Sequence, residues 1–171
     1  RSAMSLPREL KLVELNGTPH LACPVISEIN DIADEWKDVS SSFDAKDAYQ
    51  LHLEVDLTAN STITLSNAQG EKYAIDVNVS TQSLSVHRNA STGVASFAPT
   101  FSIPTMNAPL NASGNKLSLD FYVDQSSVEL IASDGLTSVT NLVFPQALYN
   151  TLSVSGANYE AKVRNLRRVW K

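Results

Sequence analysis

A single cysteine, Cys23, stands in a chain of 171 residues, so no internal disulfide can form and a cysteine-framed miniprotein is excluded. Cys23 is expected to serve as a small buried apolar residue. Basic residues are also short: 13 Lys and Arg against 18 Asp and Glu leave a net charge of -5 and a pI near 5.1. A phosphate-tracking surface needs a clustered positive excess, so no nucleic-acid partner is expected. The one basic cluster, Arg164, Arg167, Arg168 and Lys171, reads as a solvated or interdomain face. No apolar run approaches the roughly 20 residues of a membrane span, and no leader precedes Arg1, so no membrane partner is expected either. His20, His52 and His87 have no partners at ligand spacing, and neither a serine nucleophile elbow nor a phosphate-cradling glycine loop occurs. No metal or cofactor is expected.

What the chain has instead is alternation. In residues 116–135, KLSLDFYVDQSSVELIASDG, the apolar set Leu117, Leu119, Phe121 and Val123 alternates with Ser118, Asp120, Tyr122 and Asp124, which puts one set on each face of a strand. A polar break at 124–127 turns the chain, residues 128–132 return antiparallel, and Asp134-Gly135 turns it again. Tyr49, Leu51, Leu53, Val55 and Leu57 alternate in the same way. Further short strands are expected at 63–65, 73–79, 83–87, 94–103, 138–144 and 151–155. Pro99 would put part of 94–103 at an edge or bulge. Residues 104–114 read as loop, as does 27–38 apart from one short helical turn. Asn16-Gly17 favours a type I′ turn between strands at 9–15 and 18–26. Near the C-terminus, Tyr159, Val163, Leu166 and Trp170 have near-helical spacing, whereas Tyr159, Ala161 and Val163 fit a strand. With no long helix elsewhere, the fold class is all-β, a two-sheet antiparallel β-sandwich.

Four stretches carry a family resemblance. The run YVDQSSVELIASDG at 122–135 resembles the signature hairpin in the C-terminal β-sandwich of glycoside hydrolase family 32, the invertase, inulinase and levanase family. Met4-Ser5-Leu6-Pro7-Arg8-Glu9-Leu10 resembles that family's junction between catalytic domain and sandwich. LSVHRNASTG at 84–93 resembles its leucine, Arg-Ser, Gly strand and turn, and Val143-Phe144-Pro145 resembles its Ile-Phe-Pro. The resemblance implies a sandwich of jelly-roll or concanavalin type at 27–171, preceded at 1–26 by an interdomain junction and first hairpin. It also favours a closing strand over a helix at the C-terminus. The N-terminal five-bladed propeller of the family is absent from the chain, which begins without methionine inside a family motif and reads as part of a longer protein.

Function follows the same division. A retaining fructosidase needs two carboxylates about 5 to 5.5 Å apart. The resemblance places them on the propeller, in Asn-Asp-Pro-Asn and Glu-Cys motifs aided by an Arg-Asp-Pro aspartate, and none of these strings occurs here. No catalytic residue is therefore assigned, and the parent protein is expected to cleave β-fructofuranosyl bonds in sucrose, inulin or levan. Met4, Leu6, Arg8 and Glu9 are the expected interdomain contacts. Asp124, Ser127, Glu129, Asp134 and Gly135 are expected to shape the signature hairpin, with Asp124 capping its turn and Glu129 hydrogen-bonded within the sandwich. Partners implied by the resemblance are the propeller, fructan or sucrose through the parent, and in some members a second copy in a homodimer. A location outside the cytoplasm, extracellular or periplasmic, is implied too.

The rival reading is a stand-alone fructan-binding module. Sugar sites on sandwiches use exposed aromatics, and of Trp36, Tyr49, Tyr73, Tyr122, Tyr149, Tyr159 and Trp170, Tyr122 is the candidate sugar-binding residue because Phe121 and Val123 claim the inner face. A third reading makes Asp124 and Glu129 a catalytic pair. Asn16, Asn60, Asn78, Asn89 and Asn111 each begin an N-x-Ser/Thr sequon, which matters only in a glycosylating host.

Overall fold

A computed structural model of the chain describes residues 4–88 and 103–168. It is a sandwich of two antiparallel sheets with a separate two-stranded hairpin. The hairpin is β1 (Lys11–Leu15) and β2 (Thr18–Ala22), joined at Asn16 and Gly17 with φ of 52° and 77°. Two consecutive positive φ values are what the type I′ turn requires, and Asn-Gly supplies them at least cost. A 3-10 turn, Ser27–Ile32, leads to the two-residue β3 (Lys37–Asp38).

The larger sheet also contains β4 (Ala48–Asp56), β9 (Lys116–Asp124), β10 (Ser127–Ala132), β11 (Thr137–Leu142) and β13 (Tyr159–Asn165), in the order β11-β10-β9-β4-β13-β3. The smaller contains β5 (Ser61–Ser66), β6 (Lys72–Asn78), β7 (Ser83–Arg88), β8 (Thr105–Pro109) and β12 (Thr151–Ser155), in the order β12-β5-β6-β7-β8. The C-terminal segment is a strand between β4 and β3 because Val163 faces Leu51 across the ladder and Lys162 and Arg164 fall on the other side. Helical spacing there is an accident of two apolar residues near the strand's end.

Two sequence expectations are corrected: the segment 27–38, read as loop apart from a helical turn, ends in β3 against β13, and a second loop contains a strand. Within 104–114, read as loop, Thr105–Pro109 forms β8 and pairs with β7 from Ser83↔Pro109 to His87↔Thr105. Its flanking prolines, Pro104 and Pro109, suit an edge strand, where a missing N–H faces no partner. The strand expected at 94–103, with the Asn89 sequon, Trp170 and Lys171, lies outside the described residues except for the exposed Ile103.

The core is the inner rows of the two sheets. Tyr49, Leu51, Leu53 and Val55 of β4 face Val123, Phe121, Leu119 and Leu117 of β9, all at 1% exposure or less. Ile63, Leu65, Tyr73, Ile75, Leu84 and Val86 close it from the other sheet. Complete burial of each such side chain contributes about 1.5–3 kcal/mol, so this double row is the main stabilising feature. The phenols stay buried because each hydroxyl has an acceptor: Tyr49 donates to Tyr149 O at 2.7 Å and Tyr73 to Asn141 Oδ1 at 2.8 Å.

The two outer faces differ. That of the smaller sheet is a wet ladder including Thr62, Asp76, Ser85, His87 and Asn107, in which Asp76 accepts from Thr62 and meets His87. That of the larger sheet is buried at its centre, where Gln50, Tyr122, Glu129 and Ile131 keep 4 to 9% of their surface. Something covers this face.

Candidate interdomain interface

The cover is the N-terminal segment. Residues 6–9 run antiparallel to 24–26, with Glu9 N donating to Pro24 O at 2.9 Å, Ile26 N to Pro7 O at 3.2 Å, and a bridge at Arg8↔Val25. Leu6-Pro7 favours the extended backbone this needs. Glu129, on β10 and opposite Tyr122, holds the strap with both oxygens: Leu6 N donates to Oε1 at 2.8 Å and the Arg8 guanidinium to Oε2 at 2.5 Å. The remaining Arg8 nitrogens donate to Leu6 O and Cys23 O, each at 3.3 Å. A charge pair this enclosed, with side chains 16% and 7% exposed, fixes geometry because either charge alone would be left without its partner.

Gly135 clamps the other side. Its carbonyl accepts from Cys23 N at 2.9 Å, and its φ of +93° follows Ser133 and Asp134 at +50° and +53°. A Cβ on Gly135 would stand 2.3 Å from Pro24 N and 2.5 Å from Cys23 C, both backbone atoms. Glycine is required there on two counts, backbone conformation and close approach. Asp124, exposed at the hairpin turn, accepts with Oδ1 from the backbone N–H groups of Ser126 and Ser127, both at 2.7 Å, and from their hydroxyls at 3.0 and 3.1 Å. It organises the turn, and Glu129 organises the strap.

Next to Glu129 the polar row continues. Gln50 donates to Tyr122 Oη at 2.9 Å and Asp120 Oδ1 at 2.8 Å, and Arg164 Nε donates to Gln50 Oε1 at 2.8 Å. Burial, with Asp120 second, pushes the Tyr122 phenol up to about 12. Tyr122 does point to the outer face, but it keeps 9% of its surface and offers little ring for stacking. His52 Nδ1 meets Asp120 Oδ1 at 3.0 Å and Nε2 meets Glu54 Oε1 at 3.3 Å. The hydrogen bond to Asp120 is the main reason its pKa is raised. Of the expected basic cluster, Arg164 and Arg167 both reach the 3-10 turn, at Asn30 Oδ1 and Asp31 O, and Lys171 lies outside the described residues.

Beyond the strap, the hairpin is open. Among the described residues β1 and β2 pair only with each other, and such a ribbon is marginal without cover. Leu15 and Ala22 turn inward at 9% and 3% exposure, while the cross-strand pair Leu12 and Leu21 stands 79% and 58% exposed. Leu10 at 71% alternates onto the side of Leu12, and Met4 is 95% exposed. A groove of about 380 Å³, bordered by Val13, Glu14, Glu54, Ser118 and Asp134 among others, separates hairpin from sandwich. Sequence reasoning named Met4, Leu6, Arg8 and Glu9 but not Leu10, Leu12 and Leu21. Their signal was two leucines opposite each other across a two-residue turn.

No group of three or more His, Cys, Asp or Glu among the described residues could hold a metal ion. Residues 25–171 match the sequence profile described as Glycosyl hydrolases family 32 C terminal. The chain is 28% identical over 190 residues to the levanase of Bacillus subtilis (strain 168), covering 99% of this chain and 28% of that protein. It therefore spans little more than a quarter of that relative's length. In fold it is similar to an exo-inulinase from Aspergillus awamori, with a TM-score of 0.84 at 19% identity, covering 99% of this chain and 37% of that one. A sucrose-6-phosphate hydrolase from Lactobacillus gasseri follows at TM-score 0.76 and 19% identity, covering 95% and 33%. With 147 of its residues inside one profile, the chain belongs to the C-terminal domain family of the family 32 glycosyl hydrolases.

Proposed function

We propose that this chain is the non-catalytic supporting domain of a β-fructosidase, docking against a propeller that hydrolyses sucrose, inulin or levan with retention. The observation that carries the reading is the contrast within the N-terminal segment. Its strap is tied to the larger sheet by Glu129 and Gly135, while Met4, Leu10, Leu12 and Leu21 stand uncovered beside it. A hairpin tethered at its base by the strap, with an open apolar face, is what an interdomain contact needs. The strap would then set the angle at which a preceding domain meets the sandwich.

The test compares Leu12→Ser/Leu21→Ser in this chain and in the full-length parent. The leucines are exposed in the isolated chain, so its stability should change by no more than about 0.5 kcal/mol. In the parent the pair should cost about 1–3 kcal/mol and lower the temperature at which fructoside hydrolysis is lost. Leu6→Ala/Arg8→Ala should destabilise both. An unchanged parent overturns the docking assignment.

A further inference from the structure

Trp36 is a second opening on the outer face of the larger sheet. It directly precedes β3, whose Lys37 and Asp38 pair with Val163 and Lys162, so it stands beside Arg164 at the sheet's edge. Its ring leans over its neighbours: the Arg164 guanidinium lies 4.3 Å from the ring centroid, Lys162 Nζ 5.0 Å, and the His52 imidazole 6.2 Å, edge-on at 65°. Arg164 and Lys162 are alternate residues on one face of β13, so both support the ring from the sheet side. Trp36 as a whole keeps 36% of its surface. Beside it lies a concavity of about 110 Å³ lined by Asp38, His52, Glu54, Glu160, Ala161 and Lys162.

These parts fit a sugar. A flat ring held by two cations is preorganised to stack against the C–H face of a furanose or pyranose. The carboxylates of Asp38, Glu54 and Glu160 accept hydrogen bonds from hydroxyls, and the Lys162 ammonium donates. Lys162, Arg164 and Lys116, which meets Glu160 at 3.8 Å, offset the three carboxylates, so the site suits a hydroxyl-rich ligand held by hydrogen bonds rather than by net charge. We propose that Trp36 and this concavity bind one ring of a fructan chain, the choice of fructan resting on the supporting role proposed above.

Affinity electrophoresis of the chain in native gels containing levan or inulin tests this, with thermal melts to establish that each variant is folded. The wild-type chain should be retarded by at least one of the two polymers. Trp36→Ala should weaken the apparent affinity about tenfold or more, Trp36→Phe should retain part of it, and Glu54→Gln should weaken it several-fold. Should Trp36→Ala not fold, Trp36→Phe and Glu54→Gln carry the test, and full retardation of both overturns the site. Equal mobility of the wild type with and without either polymer overturns it too, as does undiminished retardation of a folded Trp36→Ala chain. If Trp36→Ala instead destabilises only the full-length parent, the ring is an interdomain contact and the sugar site is overturned. Failure here leaves the supporting role standing, because that is read from Leu12 and Leu21 in the parent.

Discussion

At the residue scale the strap hangs on one carboxylate. Glu129 serves a backbone N–H and a guanidinium from a segment more than 120 positions away in sequence. Glu129→Ala leaves both donors without an acceptor and should cost about 2–4 kcal/mol, whereas Glu129→Gln keeps an acceptor and should cost about 1–2 kcal/mol. Urea titration of the isolated chain separates the two, and equal losses would mean that packing rather than the pair holds the strap. His52 gives a different signature. Its folded pKa is raised, chiefly by the hydrogen bond to Asp120, so protonated His52 stabilises the fold. That contribution is complete below the unfolded value of about 6.5 and fades as pH rises through the raised folded value. Melting curves from pH 5 to pH 8.5 should show His52→Gln destabilised at the acid end and close to wild type at the alkaline end.

At the element scale the signature hairpin, β9 and β10, does two jobs. Its inner residues Phe121, Val123, Val128 and Leu130 build the core, and on its outer face Glu129 receives the strap while Tyr122 accepts from Gln50. This much was legible: alternation assigned each residue a face, and the polar 124–127 break located the turn. What lay over the outer face was not, because parity says which way Tyr122 points and nothing about a covering segment from the other end of the chain. β8 was missed for a related reason, since Pro104 and Pro109 read as loop punctuation although an edge strand tolerates them. The Asp134-Gly135 turn is where this element meets the Cys23-Pro24 segment that pairs with the strap. Gly135→Ala should cost about 2 kcal/mol or more, because a positive φ and a backbone collision act together. The loss should come with faster amide exchange at Cys23, whose N–H is bonded to Gly135 O. Loss of stability with Cys23 still protected would place the strain elsewhere.

At the scale of the whole molecule, the sandwich has one wet face and one strapped face, with the apolar side of the hairpin left open. The two-sheet architecture could be read from Tyr49, Leu51, Leu53 and Val55 and their counterparts in β9, because period-two burial is a local property of strands. The N-terminal segment was singled out only through its resemblance to a family motif, and its strap over Glu129, like the open leucines of the hairpin, needed the structure, since exposure depends on what the rest of the chain leaves uncovered. Asp124 and Glu129, the carboxylates that could have made an enzyme of this chain, are committed to a turn and to the strap. Fructose release from sucrose, inulin and levan, assayed for this chain alone and for the product of its full reading frame, tests the account most directly. A supporting domain predicts no release from the chain and release from the full product. Release from the chain alone, abolished by Asp124→Ala/Glu129→Ala, would contradict it.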